Sequence, residues 1–574
     1  MQAPLNVQSS QATSRRDFDR MLERLRSSAK RFARLDVAER VGLLSAITDR
    51  YFEQLDAMVH TACLAKGLDP ESEDAGEEWL AHGLSISRYL RLLKQSLLDI
   101  AEHGRPRYDP KKLRRRENGA VSLKVYPGST LEALTFPGIS AEIYFQKGLV
   151  PEELPERQAS FYRQPHDGRV ALVLGAGNVA SIPPKDALHK LFVEGEVTLL
   201  KVNPVNQYLG PFLEKAFAPA IEAGYFAVAY GDAEVGSYLT SHEFVDEVHI
   251  TGSDRTHDLI VWGPPGPERD ERRAQGKPLL QKKITSELGN VSAVLVVPGP
   301  WTEAELAYQA KNIAGMVTNN ASFNCNAAKL LVQPRGWSGS GRLLSQIEQA
   351  LAQTRTRLAY YPGAEQRFHR FTDGRSLLRM VGVPQPGELP WAIVPHLNPD
   401  DSAEPLFRNE PWCSVLGETE VGSEDPVDFL VRATRFVNER VWGNLNVALL
   451  VHPQTLRDEI SSRALDHAIE ELRYGTVAVN LWPAAAFILG STPWGAHPSS
   501  TPADIQSGHG WSGNTLMFEG IEKTVVRAPF RMLPKPVWFP DHRTVGSLAR
   551  RVVFMEKDAD WRKLPAVALT AVRG

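Results

Sequence analysis

The sequence predicts an α/β protein built from two doubly wound regions, preceded by helices and linked by a small β element. Three observations predict it. Apolar strands alternate with amphipathic helices from Arg169 to Ser253, and a second alternation runs from Ser292 to about Val479. Val170-Ala-Leu-Val-Leu is an almost uninterrupted apolar run, as expected of a strand buried on both faces of a parallel sheet. The 574 residues are also too many for one compact core, so two or three domains are expected. Repeated strand–helix–strand units imply right-handed crossovers and hence doubly wound sheets.

The elements follow in order. Residues 15 to 104 read as helices, with apolar residues at three and four spacings in Phe18, Met21, Leu22 and Leu25, and again in Val41, Leu44, Ile47, Tyr51 and Leu55. Asp36 with Glu39 three positions later makes a capping box. Between 121 and 165 the texture turns to short β runs, Val121-Ser-Leu-Lys-Val-Tyr and Ala141-Glu-Ile-Tyr-Phe, separated by Pro and Gly. After the 170 strand come a helix through Asp186 to Phe192, the strand from Val197, a helix from Pro211 to Ala223 and the strand from Phe226. A helix from Ala233 to Ser241 then precedes the strand from Val245. The Pro- and Arg-rich segment 262–280 reads as a polar surface loop. The last fifty residues, with the strand-like Arg551-Val-Val-Phe-Met, read as a tail that packs along another subunit.

Composition narrows the function. Hydrophobic residues make up 43 % and charged residues 23 %, ordinary for a globular enzyme. A formal charge of −3 gives no reason to expect nucleic acid or a membrane surface as partner. The basic run Arg114, Arg115 and Arg116 reads as a solvated loop or subunit contact. Three cysteines (Cys63, Cys325 and Cys413) argue against a disulfide framework and fit a reducing compartment. No 18-residue apolar span occurs and the first residues lack a signal-peptide pattern, so a cytoplasmic location is expected. No Cys/His cluster has metal-ligand spacing, and no metal is expected.

Cys325 is the most informative residue. It lies between an apolar-periodic helix (Ala304 to Met316) and a strand-like run (Lys329-Leu-Leu-Val-Gln), among Asn319, Asn320, Asn324 and Asn326. Structural cysteines usually lie inside apolar runs, and only the thiolate is a strong nucleophile. Glu287, 38 positions upstream, supplies a carboxylate. The two together suggest covalent acyl chemistry followed by attack of water. Three strand ends point to a cofactor. Gly175-Ala-Gly-Asn-Val-Ala follows the 170 strand, where Asn178 could aim its amide at a developing oxyanion. Lys201 ends the next strand, suited to ribose hydroxyls or a phosphate. Thr251, Gly252 and Ser253 end a third and open a helix, where backbone amides could meet a phosphate. A tight turn, a surface lysine and a plain helix cap are the bland alternatives for each. Three polar strand ends in series favour a shared cleft.

This ordered set resembles the aldehyde dehydrogenase superfamily: Gly-Asn-Val-Ala from 177, Leu-Lys at 200, Thr-Gly-Ser at 251, Glu-Leu-Gly at 287 and Cys325. Downstream, Asn409-Glu-Pro-Trp-Cys-Ser-Val-Leu, Asn480, Pro493-Trp-Gly and Ser507-Gly-His-Gly are similar to further landmarks of that family. The resemblance covers residues 165 to 515 and implies two Rossmann-like domains. On it, 1–120 are N-terminal helices of the cofactor domain, 121–165 a β oligomerisation element, and 166–290 the NAD(P)-binding domain. Residues 291–480 form the catalytic domain, 481–515 return to the cofactor domain, and 516–574 form an oligomerisation tail. It implies oxidation of an aldehyde to an acid with NAD or NADP in a homodimer or homotetramer. Cys325 forms the thiohemiacetal and thioester, Asn178 and the Cys325 N–H hold the oxyanion, and Glu287 activates water. The cofactor set carried over is Gly175, Lys201, Asn203, Thr251, Gly252, Ser253, Leu288 and Gly289, with Glu410 on the nicotinamide ribose and Trp412 against the ring.

The departures are as informative. Ser322-Phe323-Asn324 replace the family's Gly-Gln before the cysteine, Asn290 replaces a glycine, and His257 stands where a glycine would meet the pyrophosphate. Pro204 replaces the acidic residue that would repel a 2′-phosphate, which leaves NADP open. Two rival readings remain: a CoA-acylating or reductase relative in which a thiol accepts the acyl group, and an inactive scaffold. Phe323, Trp482 and Phe487 are candidates to line a substrate tunnel, hinting at an apolar or aromatic aldehyde.

Overall fold

The N-terminal helices form where the apolar spacing predicts them. Arg15–Ala33 buries Phe18, Leu22 and Leu25, and Val37–Ala65 starts at the Asp36–Glu39 capping box, both of whose hydrogen bonds are made. The computed structural model describes residues 13–574; the N-terminal stretch read for a signal pattern lies outside them. Among the described residues, no helix is long and apolar enough to cross a membrane.

The first alternating region builds a six-stranded sheet. Its order is Gly508–His509, Lys283–Glu287, Glu247–Thr251, Val170–Leu174, Val197–Lys201 and Phe226–Ala229. All pairs are parallel except the first, where Gly508 faces Glu287. Every residue of Val170–Leu174 is buried, as its uninterrupted apolar pattern requires. Chain order reverses across the Val170–Leu174 and Glu247–Thr251 pair. Such a switch point leaves a crevice outside the carboxyl ends of the strands, here between Gly175 and Gly252.

The second region builds an eleven-stranded sheet around Ala293–Val296, which pairs in parallel with Leu330–Pro334 and Asn446–Leu450. Thr476–Val479 and Ile521–Arg527 extend it in parallel. Ser140–Phe145, Val121–Tyr126 and Leu113–Arg115 continue it antiparallel, so the expected β element is an extension of this sheet within the chain. Arg116, the last of the basic run, is turned inward onto Glu522 at 2.9 Å.

Three expectations about elements are corrected. Segment 262–280 is not a loop throughout: Pro267–Gln275 is a helix, with Pro267 in its first turn, Glu268 and Asp270 at its positive end and left-handed Gly276 at its close. Those end signals outweigh its lack of apolar residues. The helix predicted from Pro211 to Ala223 breaks at Phe217 into Gly210–Ala216 and Ala218–Glu222, since Pro219 cannot continue the first. Residues 551–555 belong to the helix Val545–Glu556, not a strand. It buries Leu548, Ala549, Val552 and Val553 at helical spacing in the core formed by the N-terminal helices, so this part of the tail folds onto its own chain.

Candidate active site

Cys325 and Glu287 arrive from different sheets. Glu287 ends the Lys283–Glu287 strand, and Cys325 lies in the turn between the helix Glu303–Thr318 and the strand Leu330–Pro334. They meet: Cys325 Sγ donates to Glu287 Oε1 at 3.2 Å. Burial pushes the Glu287 carboxyl up to about 7, with Asp186 adding to it and Trp494, Cys325 and His249 pulling the other way. Burial, together with the charge of Glu287 and the hydrogen bond to it, holds the Cys325 thiol well above its ordinary range. The pair thus rests as a thiol against a carboxyl poised to change charge near neutrality.

The backbone around Cys325 is held from both sides. The Cys325 carbonyl accepts from Ser292 Oγ at 2.9 Å and from Asn446 Nδ2 at 3.0 Å. Asn290, the departure from the glycine pattern, is fully buried and donates to both Ser292 Oγ and the Asn446 carbonyl at 2.9 Å. It fits because Gly443, at φ +96°, leaves room where a Cβ would strike Asn290 Oδ1. Upstream, Asn320, Ala321 and Ser322 all have positive φ (53°, 53° and 69°), an uncommon conformation for residues with a Cβ. Lys329, fully buried, holds this turn by donating to Ser322 O (2.8 Å), Ser322 Oγ (2.7 Å) and Cys413 O (2.9 Å). These holding residues carry no motif; their only sequence signal is a lysine and several asparagines beside apolar strands.

Asn178 lines the same cavity as Cys325 and Glu287. Its Nδ2 donates to Phe323 O at 2.9 Å, which uses one amide hydrogen and leaves the second. Its main-chain carbonyl is pinned by Lys66 Nζ (2.8 Å), Asn320 Nδ2 (3.1 Å) and Tyr360 OH (3.3 Å), and Lys66 is itself paired with Glu78 at 2.6 Å. Among the described residues, the Cys325 N–H donates to no other residue. Two donors are therefore available beside the sulfur.

The proposed cofactor residues divide. Gly175, Lys201, Thr251 and Glu287 share the carboxyl edge of the six-stranded sheet, as expected. Lys201 is buried without a hydrogen bond or ion pair among the described residues, and burial lowers it to about 8. Gly252 is open to solvent, and Ser253 caps the helix Asp254–Trp262 through Thr256 N at 3.1 Å. Thr251 Oγ1 is instead spent on Asp186 at 2.8 Å, and Asn203 Oδ1 caps its own turn at Val205 N; both shape the cleft rather than offer a free group. Leu288 is buried and bonds Ser507 O through its N–H. Gly289 leaves the Glu410 carboxylate its place, because a Cβ there would push Glu410 Oε2 aside. Glu410 Oε1 is buried with no partner, and burial raises this carboxyl to about 8. Trp412 packs 5.5 Å from the Tyr361 ring and 6.4 Å from that of Phe323. His257 is buried beside Asp258 rather than turned into the cleft. A buried lysine at one strand end, an exposed Gly252 at another and a buried carboxylate oxygen at Glu410, the lysine and the oxygen both unpartnered among the described residues, suit a ligand carrying anionic and hydroxyl groups, such as a dinucleotide.

The cavity at Cys325 encloses about 190 Å³ and is walled mainly by carbon. Trp482 and Phe487 line it, as expected. Phe323 does not; its ring packs 5.0 Å from that of Tyr360, in a small cluster with Ala321 and Ala364.

No family model matches this sequence. Solved structures do match over most of the chain. Aldehyde dehydrogenase C from Pseudomonas syringae, a mutant in complex with NAD+ and octanal, is 14 % identical, with a TM-score of 0.61 over 91 % of this chain and 90 % of that one. NADP-dependent glyceraldehyde-3-phosphate dehydrogenase from Bacillus halodurans, in complex with NADP, is 16 % identical, with a TM-score of 0.60 over 90 % and 92 %. Aldehyde dehydrogenase 21 from Physcomitrella patens, in complex with succinate, is 13 % identical, with a TM-score of 0.57 over 90 % of both chains. The chain has the aldehyde dehydrogenase fold.

Proposed function

We propose that this chain oxidises an aldehyde to a carboxylic acid with NAD or NADP, through a thioester on Cys325. The observation that carries the reading is the 3.2 Å contact of Cys325 Sγ with Glu287, in one cavity with the Asn178 amide. Glu287 takes the thiol proton, and the sulfur attacks the aldehyde carbon to form a C–S bond. The resulting oxyanion accepts from the second Asn178 amide hydrogen and the Cys325 N–H, both held in place before the substrate arrives. A nicotinamide bound in the cleft by Lys201, Gly252, Ser253, Glu410 and Trp412 would accept the hydride from the aldehyde carbon. Glu287 gives the first proton up to solvent and then takes one from water as that water adds to the thioester; the C–S bond breaks to release the acid, and the leaving sulfur takes the proton back from Glu287, which restores the thiol.

A carboxyl raised to about 7 suits this base work, because it binds and releases a proton near neutral pH. The NAD+ and NADP held by the structural neighbours support the choice of cofactor. Residues 121–165, and the parts of 516–574 outside the helix Val545–Glu556, are proposed to carry subunit contacts in a homo-oligomer. The test is purified protein with an aldehyde panel and each cofactor, with and without CoA, following NAD(P)H. Acid and NAD(P)H in equal amounts without CoA are expected. A strict requirement for CoA would transfer the acyl group to a thiol instead of water, and no turnover at all would leave a scaffold.

A further inference from the structure

We propose that Lys66, paired with Glu78, is a positioning residue for the oxyanion donor Asn178 and so governs how fast charge can develop on the attacked carbonyl. The inference rests on the reading of Cys325 above and adds to it a residue that does not touch the substrate. Lys66 closes the helix Val37–Ala65, and its side chain runs into the interior, 4 % exposed. Its Nζ donates to the Asn178 carbonyl at 2.8 Å and to Glu78 Oε1 at 2.6 Å. Glu78 ends the short helix Gly76–Glu78 and is itself buried. Burial opposes the charge on Lys66, but Glu78 outweighs it and holds the ammonium above its ordinary range. Lys66 is therefore charged at any working pH.

The Asn178 peptide is gripped from several elements at once. Its carbonyl also accepts from Asn320 Nδ2 at 3.1 Å and from Tyr360 OH at 3.3 Å. Asn320 Nδ2 donates as well to Phe323 O at 3.1 Å, the carbonyl that takes the Asn178 side-chain hydrogen at 2.9 Å. The Asn178 amide is thereby tied to the turn that carries Cys325. Three residues after Asn178, Ser181 Oγ donates to Ala81 O at 2.7 Å, so the chain just past Glu78 holds the other end of the same loop. Ala81 and Asn178 both line the cavity at Cys325. A carbonyl oxygen has two lone pairs, which Asn320 and Tyr360 by themselves would satisfy. Glu78 Oε2 is buried with no hydrogen-bond partner among the described residues. Two apolar side chains in place of such an incompletely bonded pair would be as stable or more so, so stability does not require it. What the ammonium adds is a short, charge-assisted bond on the one peptide whose side chain must keep its place while the oxyanion forms. A misplacement of about 1 Å there costs about 10²-fold in rate.

The test compares the full-length protein with Lys66→Met/Glu78→Met, which removes both partners together so that no buried charge is left alone. Two reactions are followed. One is aldehyde oxidation with NAD(P). The other needs no cofactor: acyl transfer from 4-nitrophenyl acetate to Cys325, in which a C–S bond forms, the ester C–O bond breaks and 4-nitrophenolate leaves. The pair variant should lower kcat in both by about 10²-fold, with KM changed less than about twofold. Asn178→Ala should lower both by about 10²–10³-fold. Adding the pair substitutions to Asn178→Ala should cost no more than about twofold further, because Lys66 acts only through Asn178. An unchanged kcat in the pair variant, a loss carried by KM, or losses that multiply in the Asn178→Ala background would overturn the inference and leave the Cys325 reading in place. Neither aldehyde oxidation nor 4-nitrophenolate release by the unaltered protein would overturn the Cys325 reading itself, and the role of Lys66 with it.

Discussion

Replacing Glu287 by Gln should stabilise the protein at alkaline pH while removing activity. Glu287 is 5 % exposed and its carboxyl is raised by burial from an ordinary 4.5 to about 7. In the unfolded chain the group ionises near 4.5, but in the fold it stays protonated to about 7. Between those two values the unfolded state therefore binds fewer protons, and stability falls by about 1.4 kcal/mol for each pH unit. Above about 7 both states are ionised and the loss levels off at about 3 kcal/mol. Gln has the same shape, still accepts from Cys325 Sγ, and never has to hold a buried charge. Urea unfolding of the two proteins at several pH values between about 5 and 9 measures the difference. The Gln variant should gain about 2–3 kcal/mol on the unaltered protein across that range, with most of the gain below about pH 8. Its turnover should fall about 10²–10⁴-fold. Parallel stability–pH curves for the two proteins would refute the reasoning, because Glu287 would then be ionised in the fold at no cost.

Further outcomes follow from the same site. The turnover number of the unaltered protein should rise with pH through an inflection near 7, where Glu287 loses its proton, and Glu287→Gln should abolish that inflection in a pH–rate profile. Cys325→Ala should lower turnover by about four orders of magnitude or more while cofactor binding, followed by fluorescence titration, persists. Asn290→Gly removes the donor to Ser292 and Asn446; it should cost about 1–3 kcal/mol in urea unfolding and lower kcat more than it raises KM, because the Cys325 carbonyl loses its support. Arg88→Met leaves Glu132 and Glu556 buried without their main partner and should cost about 3–5 kcal/mol in the same assay.

The fold and the Cys325–Glu287 contact were legible because their signals are local. A parallel strand buried on both faces declares itself by five consecutive apolar residues, and the polar residues at its end face the crevice by geometry alone. Cys325, Glu287 and Asn178 could each be found in a short motif. The helix Pro267–Gln275 was missed because its end signals enclose a segment with no apolar face. The helix Val545–Glu556 was misread because a β-branched pair, Val552-Val553, mimics a strand where burial against other helices decides.

What the sequence by itself determined is the alternation that builds the two sheets, the motifs that hold Cys325, Glu287 and Asn178, and the strand ends that line the crevice. Only the tertiary structure decided what holds and surrounds them. Ser292 and Asn446, both held by Asn290, converge on the Cys325 carbonyl, Lys66 reaches Asn178 across 112 positions, and Arg88 reaches Glu556 across 468. The physical reason is the range of the forces concerned. Strand and helix preferences are set by neighbouring residues along the chain. A buried amide, ammonium or guanidinium acquires its partner only when remote segments pack and water is removed from both.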